Sequence, residues 1–165
     1  MNRWKGIQDG RLDEGSITRY IASQFADVDV VVASSENGAP EVSWGDTFFI
    51  HERDAHRFPF ATIVTQDYGD FDNASHLDRP GVFRLNIGVS KETYQSLFAG
   101  EGKHDFTVID RLMPHPVYGR NHWVCVLNPS EATLHTLSPL LEEAYQIAVK
   151  RAGRRKIRAD ERTRT

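Results

Sequence analysis

Residues 82–90 read VFRLNIGVS, and their alternation constrains the fold more than any other feature of the chain. Phe83, Leu85, Ile87 and Val89 fall on one side of an extended backbone, and Arg84 and Asn86 on the other, because successive strand side chains point to opposite faces. A strand with one apolar and one polar side belongs in a sheet whose apolar face is covered by a second layer. Four further segments have strand character: VDVVVA, SWGDTFFI, FPFATIVTQ with Pro59 near its start, and HWVCVLN. They are rich in the β-branched and aromatic residues that suit a pleated surface. Turn clusters such as Asn37-Gly38 separate the early strands, and short connections make antiparallel neighbours.

Helical patterns supply the second layer. Ile17, Tyr20, Ile21 and Phe25 recur at helical spacing, with Ser16 as the expected N-cap. Ser90 is placed to cap KETYQSLFAG, which turns Tyr94, Leu97 and Phe98 inward and stops at Gly100. Phe106, Ile109 and Leu112 or Met113 predict a short helix over DFTVIDRLM, ended by Pro114 and Pro116. The longest pattern carries the stripe Leu137, Leu141, Ala144, Tyr145 and Ala148. Pro139 belongs in a first turn, so this helix is expected to start near Thr136. The expected fold is α+β: a two-layer domain over residues 16–151, with an antiparallel sheet of about five strands and helices packed on one face. Residues 1–15 are expected to be a flexible arm, and 152–165 a basic, disordered tail.

A chain of 165 residues suits one domain. Cys125 is the only cysteine, so no internal disulfide is available, and a cytoplasmic setting is the natural expectation. No apolar run approaches the ~20 residues of a membrane span, and the polar start lacks a signal peptide's apolar stretch. The net charge of −3 is uneven, with eight Lys/Arg against two Asp/Glu from Lys150 onward. The acidic body argues against a broad nucleic-acid face, and leaves the tail as the segment suited to an anionic partner.

The chemistry-bearing motifs are few. Cys125 lies between Val124 and Val126, where a small buried residue is expected rather than a nucleophile. P-loop, G-x-G-x-x-G and G-x-S-x-G patterns are missing, and the seven histidines lack H-E-x-x-H spacing. No metal or cofactor is therefore expected. DYGDFDN offers Asp70, Asp72 and Asn73 as oxygens but departs from the EF-hand pattern, so it reads as a turn-forming loop.

Two features suggest a binding surface. Arg84 and Asn86 share one strand side, and by the same period Trp44, Asp46 and Phe48 share another. On an open sheet face they would make a polar patch bordered by aromatics, which is the composition of a ligand floor. The stretch MPHPVYGRNHWVCVLNP adds His115, Tyr118, Arg120, His122 and Trp123, in which Tyr118 and Trp123 offer stacking area and Arg120 an anion contact. The expected function is a non-enzymatic domain that binds a small molecule, a peptide or a second copy of the chain. Two alternatives stand beside it. One is an enzyme using His115 or His122 as general acid/base, oriented by Asp46 or Asp110. The other is nucleic-acid binding through the basic tail.

The ending HPVYGRNHWVCVLNPS…LLEEAYQIAVKR resembles the C-terminal half of the MmcQ/YjbR-like family, with Tyr118, Arg120, Trp123 and Ala144-Tyr145 at the matching positions. The span from Ser16 to Arg151 more closely resembles an uncharacterised bacterial family of small proteins, marked by GDTFF, RFPFATIVT, LDRPGVFRLNIGVS and DRLMPHPVYG. The resemblance implies a curved antiparallel sheet and, for the YjbR-like proteins, a DNA-binding role, but no reaction. Those proteins carry a lysine before the tryptophan. Here Arg120-Asn121-His122 fill that approach, which together with the acidic body argues against the DNA role.

Overall fold

The computed structural model describes residues 12–163, without the side chains of residues 155–157 and 159. Most of the expected N-terminal arm therefore lies outside the described residues. Six strands form one antiparallel sheet: β1 (Val28–Val32), β2 (Thr47–His51), β3 (Pro59–Val64), β4 (Arg84–Gly88), β5 (Met113–Pro114) and β6 (Trp123–Leu127). Their order is β1-β2-β3-β4-β6-β5. The first four strands lie beside their predecessors. The chain then reaches the far edge at β5 and turns back into β6, which pairs with β4. Five of the strands are those expected, and the two-residue β5 is the addition.

The register builds two unlike faces. Ile63, Leu85 and Val126 lie in one cross-strand row, whereas Thr62, Asn86 and Cys125 lie in the next. The first face packs under α1 (Glu14–Gln24), α2 (Lys91–Phe98) and α3 (Glu131–Arg162). Ile17 and Ile21 of α1 and Leu137, Leu141, Ala144 and Ala148 of α3 close over Phe49, Ile63, Leu85, Ile87, Val124 and Val126, all buried. The second face carries a smaller cluster of Val64, Leu77, Met113, Cys125 and Leu127 at one end. A register shift between Phe49 and Ile50 leaves Phe60 as an extra residue in β3. A bulge re-aims side chains, and Phe60 joins the helix-side core against Phe25, 6.0 Å away, and Tyr145, 5.7 Å away.

Three boundaries differ from expectation. α1 starts at Glu14 because Asp13, not Ser16, is the N-cap: Asp13 Oδ1 accepts from Ser16 N at 2.7 Å. α3 starts at Glu131, where Ser130 Oγ accepts from Thr133 N at 3.2 Å. Pro139 therefore stands inside the helix, and its missing N–H leaves the His135 carbonyl without its helical donor. DFTVIDRLM is no helix. Asp110 adopts a left-handed φ of 60° and donates its N–H to Leu127 O at 2.7 Å, so Ile109 bridges β6 instead. Its apolar residues divide between the two cores, Phe106 and Ile109 joining one and Leu112 the other.

Leu141 is fully buried between α3 and the sheet. Leu141→Ala should cost about 2–5 kcal/mol, or about 2–4 °C of Tm per kcal/mol at this size. Val32→Ala on the exposed edge strand should stay within about 0.5 kcal/mol. Calorimetry of the two variants checks the layer assignment.

Candidate ligand-binding cavity

Arg84 projects from β4 away from the helices, yet it is only 1 % exposed. A buried guanidinium is tolerated only when its charge and donors are met. Residues 65–82 meet the charge and three of the five donors by folding across this end of the sheet. Leu77 anchors the segment in the smaller core, and Asp67 Oδ1 accepts from Leu77 N at 2.9 Å. Asp72 then grips Arg84 in a two-pronged pair, Nη1 to Oδ1 at 3.1 Å and Nη2 to Oδ2 at 2.5 Å. The second Nη1 donor reaches Ser75 Oγ at 2.9 Å, and Nε donates to Asn86 Oδ1 at 2.9 Å. Asn86 Nδ2 in turn donates to Thr62 Oγ1 at 3.0 Å across the β3–β4 pair. The remaining Nη2 donor faces His115 Nε2 at 3.1 Å.

His115 enters from the turn between β5 and β6. Its backbone N–H donates to Trp123 O at 2.9 Å, and its Nδ1 accepts from Val117 N at 3.1 Å and Tyr118 N at 2.9 Å. Burial, reinforced by the Arg84 charge and only partly opposed by Asp72, pushes its pKa down to about 3. The ring is neutral at pH 7.

Above this floor lies a cavity of about 490 Å³, walled by Phe48, Phe58, Tyr68, Phe71, Tyr118 and Trp123. That volume lies within the ~300–1,000 Å³ of small-molecule sites. Phe71 and Tyr118 meet edge to face at the mouth, 6.1 Å apart, and Phe71 and Phe58 remain 60 % exposed. Arg151 of α3 holds Phe58 from behind, donating to its carbonyl at 3.2 Å with the guanidinium 5.5 Å from the ring centre. Trp123 lies against Gly88, where an added Cβ would sit 3.1 Å from the indole. A glycine here lets the indole approach the strand backbone.

Of the residues singled out from sequence, Phe48, Arg84, Asn86, His115, Tyr118 and Trp123 line this one cavity. The other four lie elsewhere. The strand side expected for Trp44, Asp46 and Phe48 does not form, because Gly45 takes φ 90° and β2 begins only at Thr47. Trp44 lies outside, donating its indole N–H to Ala39 O at 2.9 Å. Asp46 is fully buried, accepting from Thr65 N at 2.8 Å and from the hydroxyl of Tyr68, a wall residue. Burial raises the Asp46 pKa, against the pull of those donors, and burial plus the Asp46 carboxylate raises that of Tyr68. Arg120 is exposed on the turn Tyr118–Asn121. His122 packs its ring against Tyr94, 5.7 Å away. Asp72, Ser75, Thr62, Phe58 and Phe71 were not foreseen as site residues.

Several chemistries lose their footing. Cys125 is fully buried, and burial pushes its thiol up to about 12, so it is no ready nucleophile. Asp110 accepts from Ser130 N at 2.7 Å at the start of α3, and Asp46 is committed to Thr65 and Tyr68, so neither orients His115 or His122. Among the described residues no cluster of three or more His, Cys, Asp or Glu is placed to hold a metal ion, and no helix is long and apolar enough to cross a membrane.

Fold and site together define an α+β sheet domain with an aromatic-walled cavity over a buried arginine. The chain belongs to DUF6194, a family of unknown function, whose model matches residues 12–157. None of the curated proteins and none of the solved structures matches it.

Two measurements probe the floor. Asp72→Asn leaves Arg84 buried without its counter-charge and should cost about 3–5 kcal/mol in urea unfolding. The second is pH dependence. Between pH 6.5 and about 3 the unfolded chain binds a proton at His115 that the folded chain refuses. Stability should therefore fall as pH drops through this window, by up to about 1.4 kcal/mol per pH unit from this group. Asp46, with its raised pKa, acts in the opposite sense near the carboxylate range. His115→Asn should flatten the slope between pH 6 and 4, and an unaltered slope would assign the acid sensitivity elsewhere.

Proposed function

We propose that the protein is a small-molecule-binding domain that holds a flat, largely apolar compound between the aromatic walls of the cavity and orients it on the polar floor. One observation carries this reading: the fold commits a buried cation, its counter-ion and a neutral histidine to the base of a 490 Å³ cavity whose walls are mainly aromatic. Apolar walls around a few fixed polar groups are how small-molecule sites combine affinity with orientation. Binding is preferred to acid/base chemistry because His115 has no carboxylate held on its Nδ1, which instead accepts two backbone N–H groups. It is preferred to nucleic-acid capture because the built surface lies on the sheet, not at the basic end of α3.

A bacterial, cytoplasmic setting belongs to the same reading, supported by a single buried thiol suited to a reducing compartment. So does a distant kinship with MmcQ/YjbR-like proteins, supported by Trp123 at the start of β6 and Tyr145 on the last helix. A second copy of the chain remains the other partner to test, through the exposed Val30 and Val32 of edge strand β1.

Flat aromatic fragments should raise the Tm and shift the NMR signals of the Trp123 indole and the Asn86 amide. The Trp44 indole, which lies outside the cavity, is the internal control and should stay still. Fragments that move Trp44 as much as Trp123, or that move neither across a broad panel, would reject the assignment.

A further inference from the structure

His115 presents a conflict of donors. Its Nδ1 receives two backbone N–H groups, from Val117 at 3.1 Å and Tyr118 at 2.9 Å, so it is the acceptor nitrogen. A neutral imidazole carries its proton on the other nitrogen, which places N–H on Nε2. Yet Nε2 stands 3.1 Å from Arg84 Nη2, itself a donor, and its nearest carboxylate oxygen, Asp72 Oδ2, is 4.0 Å away. The opposite tautomer would satisfy Arg84 but would leave two backbone donors pointing at a third. The arrangement that leaves fewer clashes has two adjacent N–H groups, on His115 and Arg84, both lining the cavity and both short of an acceptor. These side chains are 4 % and 1 % exposed. Buried donors of this kind are normally paired.

The missing partner is one acceptor atom that can take two hydrogen bonds. A carbonyl oxygen, with two lone pairs, fits. The charges narrow the choice further. Arg84 is already neutralised by Asp72, His115 is uncharged, and the Asp46 carboxylate lies behind Tyr68. The floor thus offers donors without net positive charge. Thr62 adds to them, since its Oγ1 already accepts from Asn86 Nδ2 and its own O–H remains to donate. A carboxylate or phosphate would be desolvated here beside two acids with no free cation to receive it. The walls, Phe48, Phe58, Phe71, Tyr118 and Trp123, ask for a flat ring.

We propose that the ligand is a neutral, planar ring compound whose carbonyl oxygen sits at the cavity floor and accepts from His115 Nε2–H and Arg84 Nη2–H together. A lactam, cyclic imide or aromatic amide is the matching chemical class. This assignment rests on the binding reading above and adds the headgroup.

The test compares three probes of similar shape by calorimetric titration: 2-quinolinone, with a lactam carbonyl; quinoline, without one; and 2-naphthoate, with a carboxylate. Wild type should bind 2-quinolinone at least ten-fold more tightly than either of the others. His115→Asn keeps an acceptor for the Val117 and Tyr118 N–H groups but removes the Nε2 donor. It should erase that preference, weakening 2-quinolinone far more than quinoline. Nitrogen-15 spectra of the wild-type imidazole supply a readout that needs no variant: Nδ1 should be bare and Nε2 protonated. Equal affinity for 2-quinolinone and quinoline, tighter binding of 2-naphthoate, or a protonated Nδ1 would each overturn the carbonyl assignment while leaving the cavity as a binding site. Failure of all three probes to bind would remove the small-molecule reading and this one with it.

Discussion

The pairing of Arg84 with Asp72 is the interaction on which this end of the molecule depends. It ties a strand residue to a loop residue twelve positions earlier, at a place from which water is excluded. Coulomb attraction in such a place is strong, but the desolvation of two ions is costly as well. The balance improves as further donors are met, and Ser75 and Asn86 meet two of them, which leaves one Nη2–H facing His115. Asp72 and Ser75 both come from residues 65–82, so the network cannot form unless that segment lies across the sheet. The order of that segment and the charge balance of the floor are one event.

The two faces of the sheet follow from the same period with different consequences. On the helix side, Leu85 and Ile87 meet Val126, Val124 and Ile63, and burial of apolar area at roughly 25 cal/mol per Å² drives the layer together. On the other side, Asn86 and Arg84 occupy the same strand, and no apolar layer can close over them. The bulge at Phe60 sharpens this division. It turns one aromatic of the Phe58–Phe60 run into the helix-side core, while Phe58 and Pro59 stay at the cavity. An irregularity of one residue thereby supplies an aromatic to each layer.

Much of this was legible in the sequence because alternation is local. VFRLNIGVS shows which side of β4 is buried without reference to any other strand, and the stripe from Leu137 to Ala148 does the same for α3. The cavity's polar floor was half legible for the same reason: Arg84 and Asn86 share a side whatever lies opposite. What failed was local information overridden at single residues. Gly45 with φ 90° breaks the period that would have put Asp46 beside Phe48. Asp110 with φ 60° breaks a helical stripe whose residues then serve two cores. Asp72 was invisible as the partner of Arg84, because an acid in a loop rich in Asp, Asn and Gly carries no mark of the strand it will reach. The one available signal was indirect: an arginine on the inner part of a strand needs an acid, and DYGDFDN is the acidic loop that precedes it.

Preorganisation gives the floor its chemical character. Arg84 is held through four hydrogen bonds to Asp72, Ser75 and Asn86, and His115 through the two backbone donors on its Nδ1. Neither side chain has rotamer freedom left to lose, so an acceptor that reaches them meets donors whose ordering cost was met in folding. The rim is built differently. Phe58 and Phe71 are mostly exposed, and Phe71 touches Tyr118 through one edge-to-face contact, worth about 0.5–1.5 kcal/mol. Opening the mouth therefore disturbs one aromatic contact, whereas altering the floor disturbs the ion pair and every strand and loop attached to it. In the proposed binding role, entry would be governed at Phe71 and Tyr118, and selectivity at Arg84 and His115.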